Sequence, residues 1–317
     1  MRALAPTIEA HGRLTPDEVR RVRALVTAAT EADGVSPLSE HVLLHLPSGG
    51  DAPGRHLLAY RDDALVGYAH LDVTDVVAGS SAELAVLPAA RGRGVGGALV
   101  EALVAASPDG RLRLWAHGEH PAAGRLAERY GFVRTRVLWQ MRRSLYAPLP
   151  APSFPPDVTV RTFVVGRDEA AWTEVNNAAF AAHPEQGRWS VEEIRLREQE
   201  PWFDPAGFFL AERAGRLVGF HWTKVHGGDG AGPAPGVVPG HGHPPIGEVY
   251  VVGVLPEHGD RGLGRALTLV GLRHLRALGL AQAMLYVDGS NTRAIRVYEG
   301  LGFTRWDADV SYARATR

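Results

Sequence analysis

Apolar and polar positions follow two periods along this chain, and the same succession of periods occurs twice. A short β segment at 7–9 leads into Thr15-Pro16-Asp17-Glu18, after which Val19, Val22 and Val26 recur at helical spacing. A capping threonine, a proline in the first turn and a glutamate three residues past the cap mark a helix start. In the second half a β segment at 158–163 is followed by Ser190-Val191-Glu192-Glu193, another capping box. Leu57 to Tyr68 and Phe209 to Phe220 each read as two strands around a polar turn. Central strands at 83–87 and 249–255 each run into a Gly-rich turn and a helix, at 94–105 and 262–277. A further strand (112–115; 283–287) and a short helix follow, ending in Tyr130-Gly131-Phe132 or Leu301-Gly302-Phe303.

The halves also match residue by residue. Leu84-Ala85-Val86-Leu87-Pro88-Ala89-Ala90-Arg91-Gly92-Arg93-Gly94-Val95-Gly96-Gly97 aligns without a gap onto Val252-Gly253-Val254-Leu255-Pro256-Glu257-His258-Gly259-Asp260-Arg261-Gly262-Leu263-Gly264-Arg265. A constant offset through strand, turn and helix start implies a duplicated domain. Five prolines at 148–156 predict an extended linker at 147–157, dividing the chain into halves of 1–146 and 158–317. One insertion, 226–247, is rich in Gly, Pro and His and reads as a loop between two strands.

Composition narrows the functional classes. The 317 residues suit two domains, and 45% apolar against 22% charged content supplies a core for each. A net charge of −1 argues against a nucleic-acid surface. With no cysteine there is no disulfide framework and no thiol nucleophile. His226, His241 and His243 match no established metal spacing, so no metal is expected. Neither a signal peptide nor a membrane span is legible, and the expectation is a cytoplasmic monomer.

The Gly-rich turn carries the first chemistry. A strand ending in Arg-x-x-Gly-x-Gly at a helix start aims several unpaired backbone N–H groups one way, and glycine lets a ligand approach closely. The helix end adds partial positive charge, which suits a pyrophosphate. A tight turn with no ligand is the plain alternative. No Gly-Lys-Ser/Thr follows, so it is not a P-loop, and its place in the strand order does not fit a dinucleotide fingerprint.

The order strand, Val-Leu-Pro, Gly-rich turn, helix, strand, then Asn291-x-x-Ala294-x-x-x-Tyr298-x-x-x-Gly302-Phe303, resembles the GCN5-related N-acetyltransferases (GNAT). The resemblance covers both halves and implies an α/β (α+β) fold of two tandem GNAT domains, each a bent mixed sheet flanked by helices, using acetyl-coenzyme A. It implies that Leu84, Ala85, Val86 and Val252, Gly253, Val254 pair with the pantetheine arm. The turns, 91–97 and 259–265, would hold the pyrophosphate, and Asn291, Thr292, Arg293, Ala294, Ile295 and Arg296 would line the same coenzyme. The second copy departs from the family in having Gly259 where Arg91 stands in the first, and Arg261 is the candidate to supply that charge.

Only the second copy carries both candidate proton carriers. Acetyl transfer to an amine needs a base for the ammonium and an acid for the departing thiolate. Glu248 begins the strand expected to hold the thioester, and alternation would put Glu248, Tyr250 and Val252 on one face. Tyr298 lies where the family commonly places a tyrosine acid, and a phenol of pKa about 10 stays protonated at rest. The repeat sets Ser80 opposite Glu248, Ala127 opposite Tyr298 and His120 opposite Asn291. Catalysis is therefore expected in the C-terminal half, with the N-terminal half binding coenzyme or only supporting structure. A packed helix tyrosine and a solvated strand-end carboxylate remain the plain readings.

Segments 34–40, 176–187, 220–226 and 247–254 are similar to the mycothiol synthases, a two-domain branch of the family. That resemblance implies desacetylmycothiol as acceptor, a small molecule with a cationic amine, a thiol and two hydroxyl-rich rings. It implies Glu40, Glu185, Lys224, Glu248 and Tyr286 as acceptor contacts, with Glu40 reaching across from the N-terminal half. Other readings are a tandem acetyltransferase for a different amine and a non-catalytic acyl-coenzyme A sensor.

Overall fold

Thr15 caps helix α1 (Pro16–Asp33) through a reciprocal capping box with Glu18, and Ser190 caps α6 (Val191–Glu198) in the same way through Glu193. Both starts are thus where side-chain oxygens satisfy the otherwise orphaned N–H groups of a first turn. The computed structural model describes residues 5–50, 54–74, 79–108, 110–181, 189–226, 245–259 and 262–314.

The N-terminal half runs β1 (Thr7–His11), α1, α2 (Glu40–His45), β2 (Arg55–Arg61), β3 (Ala64–Asp72), β4 (Ser80–Val86), α3 (Val95–Ala106), β5 (Leu112–Ala116), α4 (Pro121–Arg129) and β6 (Phe132–Ser144). Between β6 and the next strand the chain has neither helix nor strand. The C-terminal half repeats the order with β7 (Val158–Thr162), α5 (Glu169–Ala179), α6, β8 (Phe208–Arg213), β9 (Arg216–His226), β10 (Ile246–Val254), α7 (Leu263–Ala277), β11 (Gln282–Asp288), α8 (Thr292–Glu299) and β12 (Thr304–Arg314).

All twelve strands join one sheet in the order β1-β2-β3-β4-β5-β12-β6-β11-β10-β9-β8-β7. The pairs β4/β5 and β10/β11 are parallel and the rest antiparallel. The centre departs from a simple tandem, because the halves exchange their last strands: β12 lies between β5 and β6, and β6 pairs with β11.

Helices cover both faces. On one, Leu58, Tyr68 and Ala85 pack under α1 and α2, while Phe208, Phe220 and Trp222 pack under Trp172 of α5 and Ile194 of α6. On the other, Leu57 and Ala69 meet Leu99 and Leu103 of α3, and Val249 and Leu285 meet Leu269 and Leu272 of α7. Met141, from the exchanged β6, lies inside the C-terminal core. Each fully buried side chain of this size stabilises the fold by about 1.5–3 kcal/mol.

Candidate active site

Each half contains a fork where two parallel strands part. In the first, β4 and β5 pair from Ser80 to Glu83; in the second, β10 and β11 pair from Gly247 to Val249. Beyond these points Leu255 N–H still donates to Val218 O at 3.0 Å on the β9 side. Alternation therefore turns the backbone groups of Val252 and Val254 into the opening, where no strand among the described residues meets them. The apolar strand, pinned on one side only, presents a free edge.

The turn after each fork leads into a helix whose N-cap is a left-handed glycine, Gly94 (φ 87°) for α3 and Gly262 (φ 73°) for α7, with no side chain capping either helix. The first-turn N–H groups are thus left to a ligand. A Cβ placed on Gly262 would meet nothing within 4 Å, and one on Gly264 would lie 3.7 Å from Val254 Cγ2. Among the described residues, open space before the first-turn N–H groups, beside an unpaired strand edge, fits an extended chain ending in a pyrophosphate.

The two cradles differ in their charge. Arg91 Nη1 and Nη2 both donate to Asp33 at 2.7 Å, and its Nε donates to Val86 O at 3.2 Å. The first copy's arginine therefore occupies its own fork edge. In the second copy Gly259 leaves that edge open, and Arg293 Nη2 donates to Gly259 O at 2.7 Å. A guanidinium from α8 thus reaches this turn. Asp260 and Arg261 lie outside the described residues. Asn291 caps α8 by accepting from Ala294 N–H at 3.0 Å, as His120 caps α4 from Ala122 N–H at 3.1 Å. Ile295 points into the core, whereas Thr292 and Arg296 are exposed.

A β-bulge alters the expected face of Tyr250. The β9/β10 ladder shifts between Val249 and Val251, leaving Tyr250 as the extra residue. Tyr250 and Val251 both pack with the aromatic cluster under α5 and α6, while Val252 packs on the opposite side with Val249. Glu248, Tyr250 and Val252 consequently do not share one face. The extra residue also ends the constant offset: Glu248 pairs with Lys224, the place taken in the first copy by Ser81 opposite Asp72, not by Ser80. That first-copy ladder has no bulge in β4.

Glu248 is buried, and its Oε2 lies 2.6 Å from His226 Nε2 on the neighbouring strand. His226 is a partner that sequence reasoning missed, although its diagonal place on an antiparallel pair is legible from the strand pattern. Among the described residues no cluster of three or more His, Asp or Glu could hold a metal ion, and His241 and His243 lie outside them. Tyr298, on the seventh residue of α8, packs against Phe303 in the cluster that contains Val252, and burial pushes its phenol up to about 12.

The remaining polar residues form a connected floor between the halves. Lys224 Nζ donates to Glu40 Oε1, an ion pair that joins β9 to α2. Its ammonium sits 4.1 Å from the Trp202 ring centre and 5.2 Å from that of Tyr250. Arg197 Nε donates to the Tyr250 hydroxyl at 2.9 Å and stacks 4.0 Å over Trp189. Burial pushes the Glu40 carboxyl up, but Lys224 and Arg197 outweigh it and hold the group below the usual carboxylate range. Tyr286 is raised well above its ordinary value by burial and by the Asp309 and Glu248 charges, and its hydroxyl accepts from Gln140 Nε2 at 2.8 Å. Glu40, Lys224, Glu248 and Tyr286 are thus brought to one surface. Glu185 lies outside the described residues.

A model of the acetyltransferase (GNAT) family matches residues 172–303, and one of the acetyltransferase (GNAT) domain matches 52–134. A mycothiol acetyltransferase of Acidothermus cellulolyticus is 59% identical over 310 residues, covering 97% of this chain and 94% of its own. Another, of Thermobispora bispora, is 56% identical, covering 97% and 100%. Among solved structures, a GCN5-related N-acetyltransferase from Sphaerobacter thermophilus is similar at a TM-score of 0.64 and 26% identity, covering 97% and 95%. A tandem GNAT protein from the clavulanic acid biosynthesis pathway shares the fold at a TM-score of 0.69 and 19% identity, covering 97% and 98%. No helix among the described residues is long and apolar enough to cross a membrane. With two matched domains, an open cradle at a helix start and relatives of more than half identity over nearly the whole length, the chain belongs to the GNAT family of acetyl-coenzyme A-dependent N-acetyltransferases, among the mycothiol acetyltransferases.

Proposed function

We propose that the C-terminal half, 158–317, transfers acetyl from acetyl-coenzyme A to the cysteinyl amine of desacetylmycothiol, giving mycothiol and coenzyme A, while the N-terminal half, 1–146, supplies part of the acceptor site. The observation that carries this reading is the Glu40–Lys224 ion pair across the halves. It joins Glu40 to Lys224, whose neighbour on the next strand is Glu248, and with Tyr286 these supply polar groups suited to a cationic, hydroxyl-rich acceptor.

Acetyl-coenzyme A supplies an activated acyl carbon on a good leaving group. Leu263, Gly264 and Arg265 offer the pyrophosphate their N–H groups at the start of α7, with Arg293 adding charge. Val252 and Val254 offer the pantetheine arm hydrogen bonds along the fork. An α-amine of pKa near ~7.7–8.0 is mostly protonated at neutral pH. Glu248, as general base, accepts a proton from the ammonium, and the hydrogen bond to His226 offers that proton a way out. The nitrogen lone pair forms the new bond to the acyl carbon as the carbon–sulfur bond breaks. Tyr298, as general acid, hands its proton to the departing sulfur and regains one from the second proton that the nitrogen loses as the amide forms; its high pKa keeps it loaded at neutral pH.

Incubating the protein with acetyl-coenzyme A and desacetylmycothiol, with mass spectrometry for the N-acetylated product, tests the reaction. Tyr298→Phe should lower kcat about a hundredfold or more and leave acetyl-coenzyme A binding intact. Absence of product with the wild-type protein would refute the acceptor; unchanged turnover in the variant would remove the proposed acid.

A further inference from the structure

A buried charged triad at the seam of the two halves carries no proton in the chemistry above. Glu83 stands on β4 where the first fork opens, His117 follows β5, and Asp309 comes from the exchanged strand β12. His117 Nδ1 lies 3.0 Å from Asp309 Oδ2, and its Nε2 lies 3.7 Å from Glu83 Oε1. Burial opposes charging the imidazole, but Asp309 and Glu83 outweigh it and push its pKa up to about 10. The other Asp309 oxygen accepts from Gly118 N–H at 2.9 Å. The other Glu83 oxygen accepts from Ser39 N–H at 2.6 Å.

Ser39 is the N-cap residue of α2, and its own side chain makes no capping bond. The first residue of that helix is Glu40, the group that reaches Lys224. A helix of six residues does not hold its own conformation, since nucleation costs more than so few bonds return. Packing of Val42 and Leu43 holds its body, and at its start the Glu83 carboxylate accepts from the N-cap N–H. The general fold does not demand a charge there: in the ladder Glu83 pairs with His70, and the corresponding pair in the second half is Val251 with Trp222.

We infer that Glu83, clamped by His117 and Asp309, is a positioning residue that holds Ser39 N–H and thereby sets the Glu40 carboxylate against Lys224 at the acceptor end of the site. One strand of the clamp belongs to the other half of the chain, so Glu40 is placed by a structure that exists only when β12 is inserted. This inference rests on Glu40 being an acceptor contact. Small displacements of such a group are costly, because a shift of about 1 Å can lower the rate a hundredfold.

The test is a double-mutant cycle of Glu83→Ala and Glu40→Gln in the full chain, read in kcat, in KM for desacetylmycothiol and for acetyl-coenzyme A, and in urea unfolding. Glu83→Ala should raise the acceptor KM about tenfold and leave the acetyl-coenzyme A KM alone, and the double variant should be no worse than Glu40→Gln. Glu83→Gln, which keeps an oxygen for Ser39 N–H, should recover most of the loss. Should Glu83→Ala fail to fold, Ser39→Pro breaks the contact from the other side, removing the donor and displacing the carboxylate, at a residue whose φ of −65° proline adopts. Additive effects, an unchanged acceptor KM, or a parallel rise in both KM values would overturn the inference. If the wild-type protein does not acetylate desacetylmycothiol, the acceptor assignment fails separately. The cycle is then read in unfolding, where coupling between Glu83 and Glu40 upholds the clamp and additivity overturns it.

Discussion

At the scale of single residues, the contact between His226 and Glu248 restricts the carboxylate to one direction and links it to solvent. His226→Ala should therefore lower kcat about tenfold to a hundredfold with little change in acetyl-coenzyme A KM, measured at saturating acceptor. A second residue reports on stability. Burial, then the neighbouring Glu169 carboxylate, pushes Glu198 up to about 7 from an ordinary value of 4.5. The folded protein then binds the extra proton between those values, so the stability linked to this group is greatest below about 4.5 and is lost as pH rises through about 7. Glu198→Gln should flatten that part of the profile and raise the unfolding midpoint at pH 8 relative to wild type. A profile unchanged by the substitution would contradict the assignment.

At the scale of elements, the two glycine-capped helices allow a controlled comparison. Gly94 and Gly262 have φ near 87° and 73°, and neither would crowd a Cβ. Alanine at either position should cost about 1–2 kcal/mol in urea unfolding, from left-handed backbone strain alone. Only Gly262→Ala should also raise the acetyl-coenzyme A KM, because only that cradle belongs to the half that carries the proposed proton carriers. Equal kinetic damage from Gly94→Ala would give the first cradle a part in turnover. The helix signatures, hairpins and turns were legible in the sequence because they depend on neighbours a few residues apart: Thr15 with Glu18, Ser190 with Glu193, Gly-x-Gly after Val-Leu-Pro. The bulge at Tyr250 was not, since an extra residue is defined only against the partner strand.

At the scale of the whole molecule, the exchange of β6 and β12 makes each half complete the other's sheet. Met141 of β6 lies in the C-terminal core, and Tyr312 of β12 packs against the N-terminal one. Unfolding should accordingly proceed in one transition, with circular dichroism and tryptophan fluorescence coincident in urea, although the repeat suggests two domains. Two resolved transitions would mean that the halves fold independently of the exchange.

By itself the sequence determined the duplication, the paired strand-turn-helix units, the glycine cradles and the family resemblance, all of which are written in local spacing. It also singled out Glu40, Lys224 and Tyr286, though only by likeness, because nothing in their neighbours marks a charge as buried or paired. Tertiary structure alone decided that Arg91 covers its own fork while Arg293 reaches the second turn, that β10 carries a bulge at Tyr250, and that α2 is tied to both halves. These facts depend on which strands lie side by side, and strand order here joins residues more than a hundred positions apart.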